Sequence, residues 1–280
     1  MREINVDKVT ENLSSMCIEV NHFLSKDMES VLEDSRKREE SELGKQILDS
    51  LSENLEIARK DMIPICQDTG MAVVFVEVGQ DVHLVGGNLE DAINEGVRRG
   101  YNEGYLRKSV VKDPIIRENT KDNTPAVIHY SIVPGDKVKI TLAPKGFGSE
   151  NMSRVFMLKP ADGIEGVKAA VLTAVRDAGP NACPPMVVGV GIGGTFEKCA
   201  LLAKKALTRE AGSHSDIPYV KELEEELLEK INKTGIGPGG LGGTVTALAV
   251  NVLTYPTHIA GLPVAVNICC HVNRHITRVI

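Results

Sequence analysis

Val6, Val9, Leu13, Met16, Cys17 and Val20 recur at steps of three and four, the spacing of one apolar helix face. Leu43, Ile47, Leu51, Leu55 and Ala58 keep the same period inside a charge-rich stretch, 27–60, which Pro64 ends. Residues 1–62 therefore read as a helical N-terminal part. The pattern then changes: 71–78 is Val-rich and flanked by Gly70 and Gly79, which predicts a buried strand. Helix returns over 89–105, where Asn88 can cap and Glu90 and Asp91 suit the first turn.

Residues 126–133 and 137–143, joined by Pro134-Gly135-Asp136, predict an antiparallel hairpin. An amphipathic helix over 164–178 ends at Gly179-Pro180. An apolar strand over 185–194 runs into glycines before a helix at 196–208, and a charged helix follows near 218–233. The glycine-rich segment 235–243 leads to two apolar stretches, 244–254 and 262–270. No composition shift marks a linker. The expectation is one α/β domain over 1–280, with mixed and antiparallel sheets surrounded by helices and two lobes left open.

Composition narrows the function classes. Lys+Arg 32 against Asp+Glu 38 gives a net charge of −6, and Trp 0, Tyr 5 and Phe 5 leave few stacking platforms, so a dedicated nucleic-acid binder is excluded. The N-terminus has no apolar signal-peptide core, and no uninterrupted apolar run is long enough to span a membrane. A cytoplasmic location is expected, where six cysteines are not a disulfide framework.

Those cysteines divide by context. Cys17 and Cys199 sit in helical periods among apolar neighbours and read as small buried hydrophobes. Cys66, in Pro64-Ile65-Cys66-Gln67-Asp68-Thr69-Gly70, and Cys183, in Asn181-Ala182-Cys183-Pro184-Pro185, lie in turn-like segments. Cys269 and Cys270 close an apolar strand before His271. No Cys-x-x-Cys pair occurs, which speaks against a zinc ribbon and a thioredoxin-type pair. Three thiolates on an iron–sulfur cluster would leave one iron open as a Lewis acid. Zinc or a purely structural cluster remains an alternative at this stage.

Asp68 is a candidate acid, Gln67 a candidate carboxylate donor and Arg107 a candidate carboxylate clamp. His258 follows Tyr255-Pro256-Thr257 in a turn. Gly189-Val190-Gly191-Ile192-Gly193-Gly194 fits the dinucleotide fingerprint, but the acidic residue expected about 20 positions later is not convincing. The alternatives are an anion held at a helix N-terminus and a plain strand-to-helix turn.

At Cys66-Gln67-Asp68-Thr69-Gly70 the chain resembles the α subunit of the two-subunit class I fumarases, iron–sulfur hydro-lyases whose family also includes L-tartrate dehydratase. The resemblance continues through Lys145-Gly146-Phe147-Gly148-Ser149-Glu150-Asn151, Ala182-Cys183-Pro184-Pro185, Gly191-Ile192-Gly193-Gly194-Thr195, Gly239-Gly240-Leu241-Gly242-Gly243, and Cys270 with Arg274. It implies a [4Fe-4S] cluster held by Cys66, Cys183 and Cys270. The choice of Cys270 over Cys269 follows the family's spacing of about twelve residues after a substrate-contacting histidine, here His258. Gln67, Asp68, Arg107, Gly148 and His258 are the implied substrate-binding residues, with Asp68 as the catalytic acid; Phe147 departs from the triple glycine of the fused enzymes.

The implied reaction is reversible hydration of fumarate to L-malate, with tartrate dehydration as the alternative. The implied partner is a β subunit that brings the catalytic base and further cationic clamps, in an α2β2 assembly. A non-catalytic iron–sulfur or zinc scaffold is the rival of a different class. An adjacent acid, amide and clamp argue against it.

Overall fold

The switches in hydrophobic period become switches from helix to strand in the computed structural model, which describes residues 1–280. In chain order the elements are β1 (Arg2–Asn5), α1 (Asp7–His22), α2 (Lys26–Arg38), α3 (Glu42–Asp61), β2 (Met71–Gly79), β3 (Val82–Val85), α4 (Leu89–Glu103), β4 (Val127–Val133) and β5 (Val138–Lys145). They continue with α5 (Phe147–Glu150), β6 (Arg154–Leu158), α6 (Gly163–Ala178), β7 (Met186–Gly193), α7 (Phe196–Ala206), α8 (Pro218–Asn232), β8 (Ala247–Tyr255), β9 (Leu262–Cys269) and β10 (Ile276–Val279). This is the expected α/β class with mixed sheets. The chain divides into two compact units: residues 1–25, 55–146 and 274–280 form the first, and 26–54 with 147–273 the second. No helix is long and apolar enough to cross a membrane.

In the first unit a four-stranded sheet runs in the order β10-β5-β2-β4. Its core joins Val9, Leu13, Met16 and Cys17 of α1 and Ile93, Val97 and Tyr101 of α4 to Val74, Val76, Ile140 and Leu142. Asn88 caps α4 as expected, its Oδ1 accepting the N–H groups of Glu90 and Asp91 at 2.8 and 3.1 Å.

The hairpin expected from 126–133 and 137–143 does not form. β2 lies between the two strands, parallel to β4 and antiparallel to β5. The reason is burial. Ala72 to Val76 are all buried, so β2 takes a central position, whereas β4 leaves Tyr130 and Ile132 exposed and sits at the edge. The β4–β5 connection must then pass over the end of β2. Gly79 makes that possible: its N–H donates to the Lys137 carbonyl at 2.8 Å, and a Cβ there would overlap the Gly135 carbonyl oxygen.

The helix expected over 27–60 is broken at 39–41, where α2 ends and α3 has yet to begin. Glu39 is buried, and its carboxylate accepts the N–H groups of Ser41, Thr244 and Val245 at 2.8–3.0 Å. Burial pushes this carboxyl up, but the Thr244, Ser41 and Val245 N–H groups and the Thr244 hydroxyl outweigh it. They hold the carboxyl below the ordinary range.

The second unit centres on the sheet β6-β9-β7-β8. Val188 and Val190 of β7 and Val264, Val266 and Ile268 of β9 face Val171, Val175, Leu223 and Leu227 of α6 and α8. On the opposite face Ala265 meets Cys199 and Ala203 of α7. Gly189 and Gly191 lie inside β7, and a Cβ on either would overlap the carbonyl oxygen of Ala203 or Cys199. These glycines therefore serve close strand-to-helix packing, which removes the dinucleotide fingerprint: the phosphate-binding turn it requires is still strand here.

Candidate functional site

The Cys66-Gln67-Asp68-Thr69-Gly70 turn joins the end of α3 to β2 within the first unit. Cys66 and Asp68 are half-buried and Gln67 is exposed. The turn is held from several sides. Asp68 Oδ1 accepts the Gly70 N–H at 3.0 Å. Tyr101 Oη donates to the Thr69 carbonyl at 2.8 Å and also lies 3.0 Å from that of Gly70, where Asn123 Nδ2 donates at 3.1 Å. Complete burial pushes the Tyr101 phenol up, so it stays a donor at all ordinary pH.

Thr69 ties a second segment to this turn. Its hydroxyl accepts the Arg107 N–H at 2.9 Å and donates to the Arg107 carbonyl at 3.3 Å. Arg107 is thereby fixed by its main chain while its guanidinium stays exposed. Asn123 Oδ1 accepts the Ser109 N–H at 2.7 Å, fastening the same segment two residues further on. At Gly146 a Cβ would stand 2.9 Å from Asp68 Oδ2, so a side chain there would crowd the carboxylate. Cys66, Gln67, Asp68 and Arg107 are thus brought onto one braced stretch of backbone.

In the second unit Cys183 follows the short turn Gly179–Ala182 in a left-handed conformation, φ +51°, with its side chain exposed. Its N–H donates to the Pro180 carbonyl at 3.1 Å. His271 Nδ1 lies 3.1 Å from the Cys183 carbonyl. A carbonyl can only accept, so this bond puts the ring proton on Nδ1. His271 is bonded to Cys270, so the contact fastens the Cys270 segment to the Cys183 turn. Gly148, exposed in the first turn of α5, faces the same turn: a Cβ there would be 3.9 Å from the Asn181 carbonyl oxygen.

The two adjacent thiols part at the end of β9. Cys269 is in register with Val187 and buried, while Cys270 lies beyond the strand and is half-buried. None of the six cysteines is in a disulfide; Cys17, Cys199 and Cys269 are buried, and Cys66, Cys183 and Cys270 are the three that are not. Burial pushes the Cys17 thiol up to about 12, which makes it inert as a ligand. No three His, Cys, Asp or Glu side chains stand together as a ready metal site. The fit to an iron–sulfur cluster is therefore judged on donor chemistry: three accessible thiols in turns, free of disulfides, suit one.

Within the second unit His258 stands at the other end of β9 from Cys270. It precedes β9, whereas Cys270 follows it, and the strand between covers about 23 Å at the usual rise per residue. His258 lines a mainly apolar cavity of about 520 Å³ with Ile164, Ile192, Tyr219 and Leu262. Residues that pattern reading passed over are Tyr101, Asn123 and Asn21, each buried with its polar group on a main-chain partner. For Tyr101 and Asn21 the available signal was a polar side chain on an otherwise apolar face of α4 or α1; Asn123 lies in a loop and offered none.

Residues 10–279 match the family model described as fumarate hydratase (fumerase). A protein of Methanocaldococcus jannaschii, provisionally named L(+)-tartrate dehydratase subunit alpha, is 41% identical over 273 residues, 95% of each chain. The L(+)-tartrate dehydratase subunit alpha of Escherichia coli strain UTI89 is 33% identical over 273 residues, 96% of this chain and 89% of that one. Its counterpart in Escherichia coli K12 is 32% identical with the same coverage.

Proposed function

The chain belongs to the fumarate hydratase (fumerase) family of hydro-lyases, and from that premise we propose that it is the α subunit of an L(+)-tartrate dehydratase, completed by a β subunit. The sequence motifs put fumarate hydration first; the names of the most similar relatives favour tartrate instead, and fumarate hydratase becomes the second reading, supported by the family model. One observation carries the proposal. Of six cysteines outside any disulfide, the three not buried are the three in motif turns, and one of these turns bears Asp68 with Arg107 pinned to it.

Cys66, Cys183 and Cys270 would hold a [4Fe-4S] cluster. When bound, such a cluster supplies an open iron that polarises a substrate hydroxyl and its neighbouring carboxylate. The rest falls to side chains. Arg107 clamps a carboxylate through two parallel N–H groups, and Gln67 and the Gly148 N–H donate to carboxylate oxygens. Asp68 delivers the proton that lets the hydroxyl leave as water. A base on the β subunit takes the proton from the adjacent carbon. With L-tartrate the product is the enol of oxaloacetate, which ketonises; with L-malate it is fumarate. His258 is left out of this scheme because a full strand separates it from Cys270.

The proposed setting is an α2β2 assembly in the cytoplasm, where reducing conditions keep such thiols free. The test is anaerobic co-expression with the β subunit and parallel assays on L-tartrate and L-malate. Preference for L-tartrate supports the first reading and preference for L-malate the second. Activity on neither overturns both. Asp68→Asn should lower turnover by about 10²-fold or more.

A further inference from the structure

Arg274 is almost fully buried in the first unit and makes two directed contacts. Nη2 donates to the Asp68 carbonyl and Nη1 to Asn21 Oδ1, both at 2.8 Å. Asn21, itself completely buried, is fixed by its Nδ2 donating to the Cys17 carbonyl at 2.8 Å. Its own carbonyl accepts the Ile65 N–H at 2.9 Å. The pair therefore grips the signature turn at both ends, at Ile65 ahead of Cys66 and at Asp68 after it.

The third nitrogen of this guanidinium, Nε, is buried without an acceptor. A site selected only to fill space would take an apolar side chain and avoid that orphan donor. What arginine alone offers here is a planar fork whose two ends reach different partners at once. We infer that Arg274 is a positioning residue, which sets the main chain of Asp68 and the Cys66 turn so that the Asp68 carboxyl points at substrate; the inference rests on the reading of Asp68 as proton donor. Arg274 touches only a carbonyl of that turn, so it acts through Asp68.

The test uses the anaerobically co-expressed α–β complex. Arg274→Lys keeps the charge and loses the fork. It should lower kcat by about 30- to 100-fold with KM within about threefold of wild type, the pattern of a misplaced catalytic group. On an Asp68→Asn background the same change should cost less than about threefold, because the group it positions is gone. Hydrogen–deuterium exchange of the 65–70 segment should rise at least about tenfold, while 186–193 in β7 stays unchanged.

Wild-type kcat with unchanged exchange overturns the inference, as does a loss that adds in full to that of Asp68→Asn. If Arg274→Lys does not fold, Asn21→Ala decides by the same measurements: it removes the Nη1 acceptor and leaves the Ile65 main-chain bond. If the wild-type complex acts on neither acid, the functional reading fails, and exchange of the 65–70 segment alone decides whether Arg274 holds the turn.

Discussion

The Thr69 hydroxyl closes on the main chain of Arg107 from both sides, accepting its N–H at 2.9 Å and donating to its carbonyl at 3.3 Å. Arg107, the proposed carboxylate clamp 38 residues along the chain, is thus registered to the residue that follows Asp68. Thr69→Val preserves shape and removes both bonds. It should raise KM for the dicarboxylate about tenfold with a smaller change in kcat, the effect of a clamp that wanders. An unchanged KM in steady-state assays would detach Arg107 from substrate binding.

Tyr101→Phe removes the buried hydroxyl that donates to the Thr69 carbonyl. The carbonyl then loses a donor in a place water does not reach. Stability should fall by about 1–3 kcal/mol, read as a lower urea midpoint with an unchanged slope. No change would mean that the turn is braced without Tyr101.

Cys17 gives the first unit an alkaline limit. Burial pushes its folded thiol up to about 12, against 9.0 for an ordinary thiol. Below pH 9 both states are protonated and the full stability is present. As pH rises above 9 the unfolded chain loses a proton that the folded one keeps, so stability falls by about 1.4 kcal/mol per pH unit until the folded thiol ionises. Tyr101, also raised by burial, adds to the slope above pH 10. Urea midpoints at pH 8, 9 and 10 should fall in wild type and fall less in Cys17→Ala; equal slopes would contradict this.

Glu39 acts at the other end of the pH scale. Its carboxylate is held below the ordinary range, so its contribution is present above pH 4.5 and is lost as pH falls through the folded value. Glu39→Gln should cost about 1–3 kcal/mol at pH 7, because three N–H groups then share a weaker acceptor. That gap should close in urea titrations below pH 4.5. A gap constant down to pH 3 would mean that shape, rather than charge, anchors the break between α2 and α3.

Periodicity was enough to locate α1, α4, α6, α7 and β2 to within a few residues, because each buries one face or one whole strand by itself. It failed where a distant partner decides. The chain breaks at Glu39 because the N–H groups of Thr244 and Val245, some 200 residues later, need its carboxylate. The hairpin is lost because β2 outcompetes β4 for the central position. That Cys66, Gln67 and Asp68 lie together on a turn between helix and strand was legible from one short stretch. The turn's supports, Tyr101, Asn123 and Arg274, were not, since nothing local says whose carbonyl each will bind. The twelve-residue spacing from His258 singles out Cys270, and it is filled in the fold by β9.

Iron and acid-labile sulfide per chain in the anaerobically isolated complex test most directly whether Cys66, Cys183 and Cys270 are the cluster ligands. About four of each are expected in wild type. Both should be lost in Cys66→Ser, Cys183→Ser and Cys270→Ser and retained in Cys269→Ser. Wild-type complex without iron and sulfide, or a cluster that survives Cys270→Ser and disappears in Cys269→Ser, would overturn that ligand set.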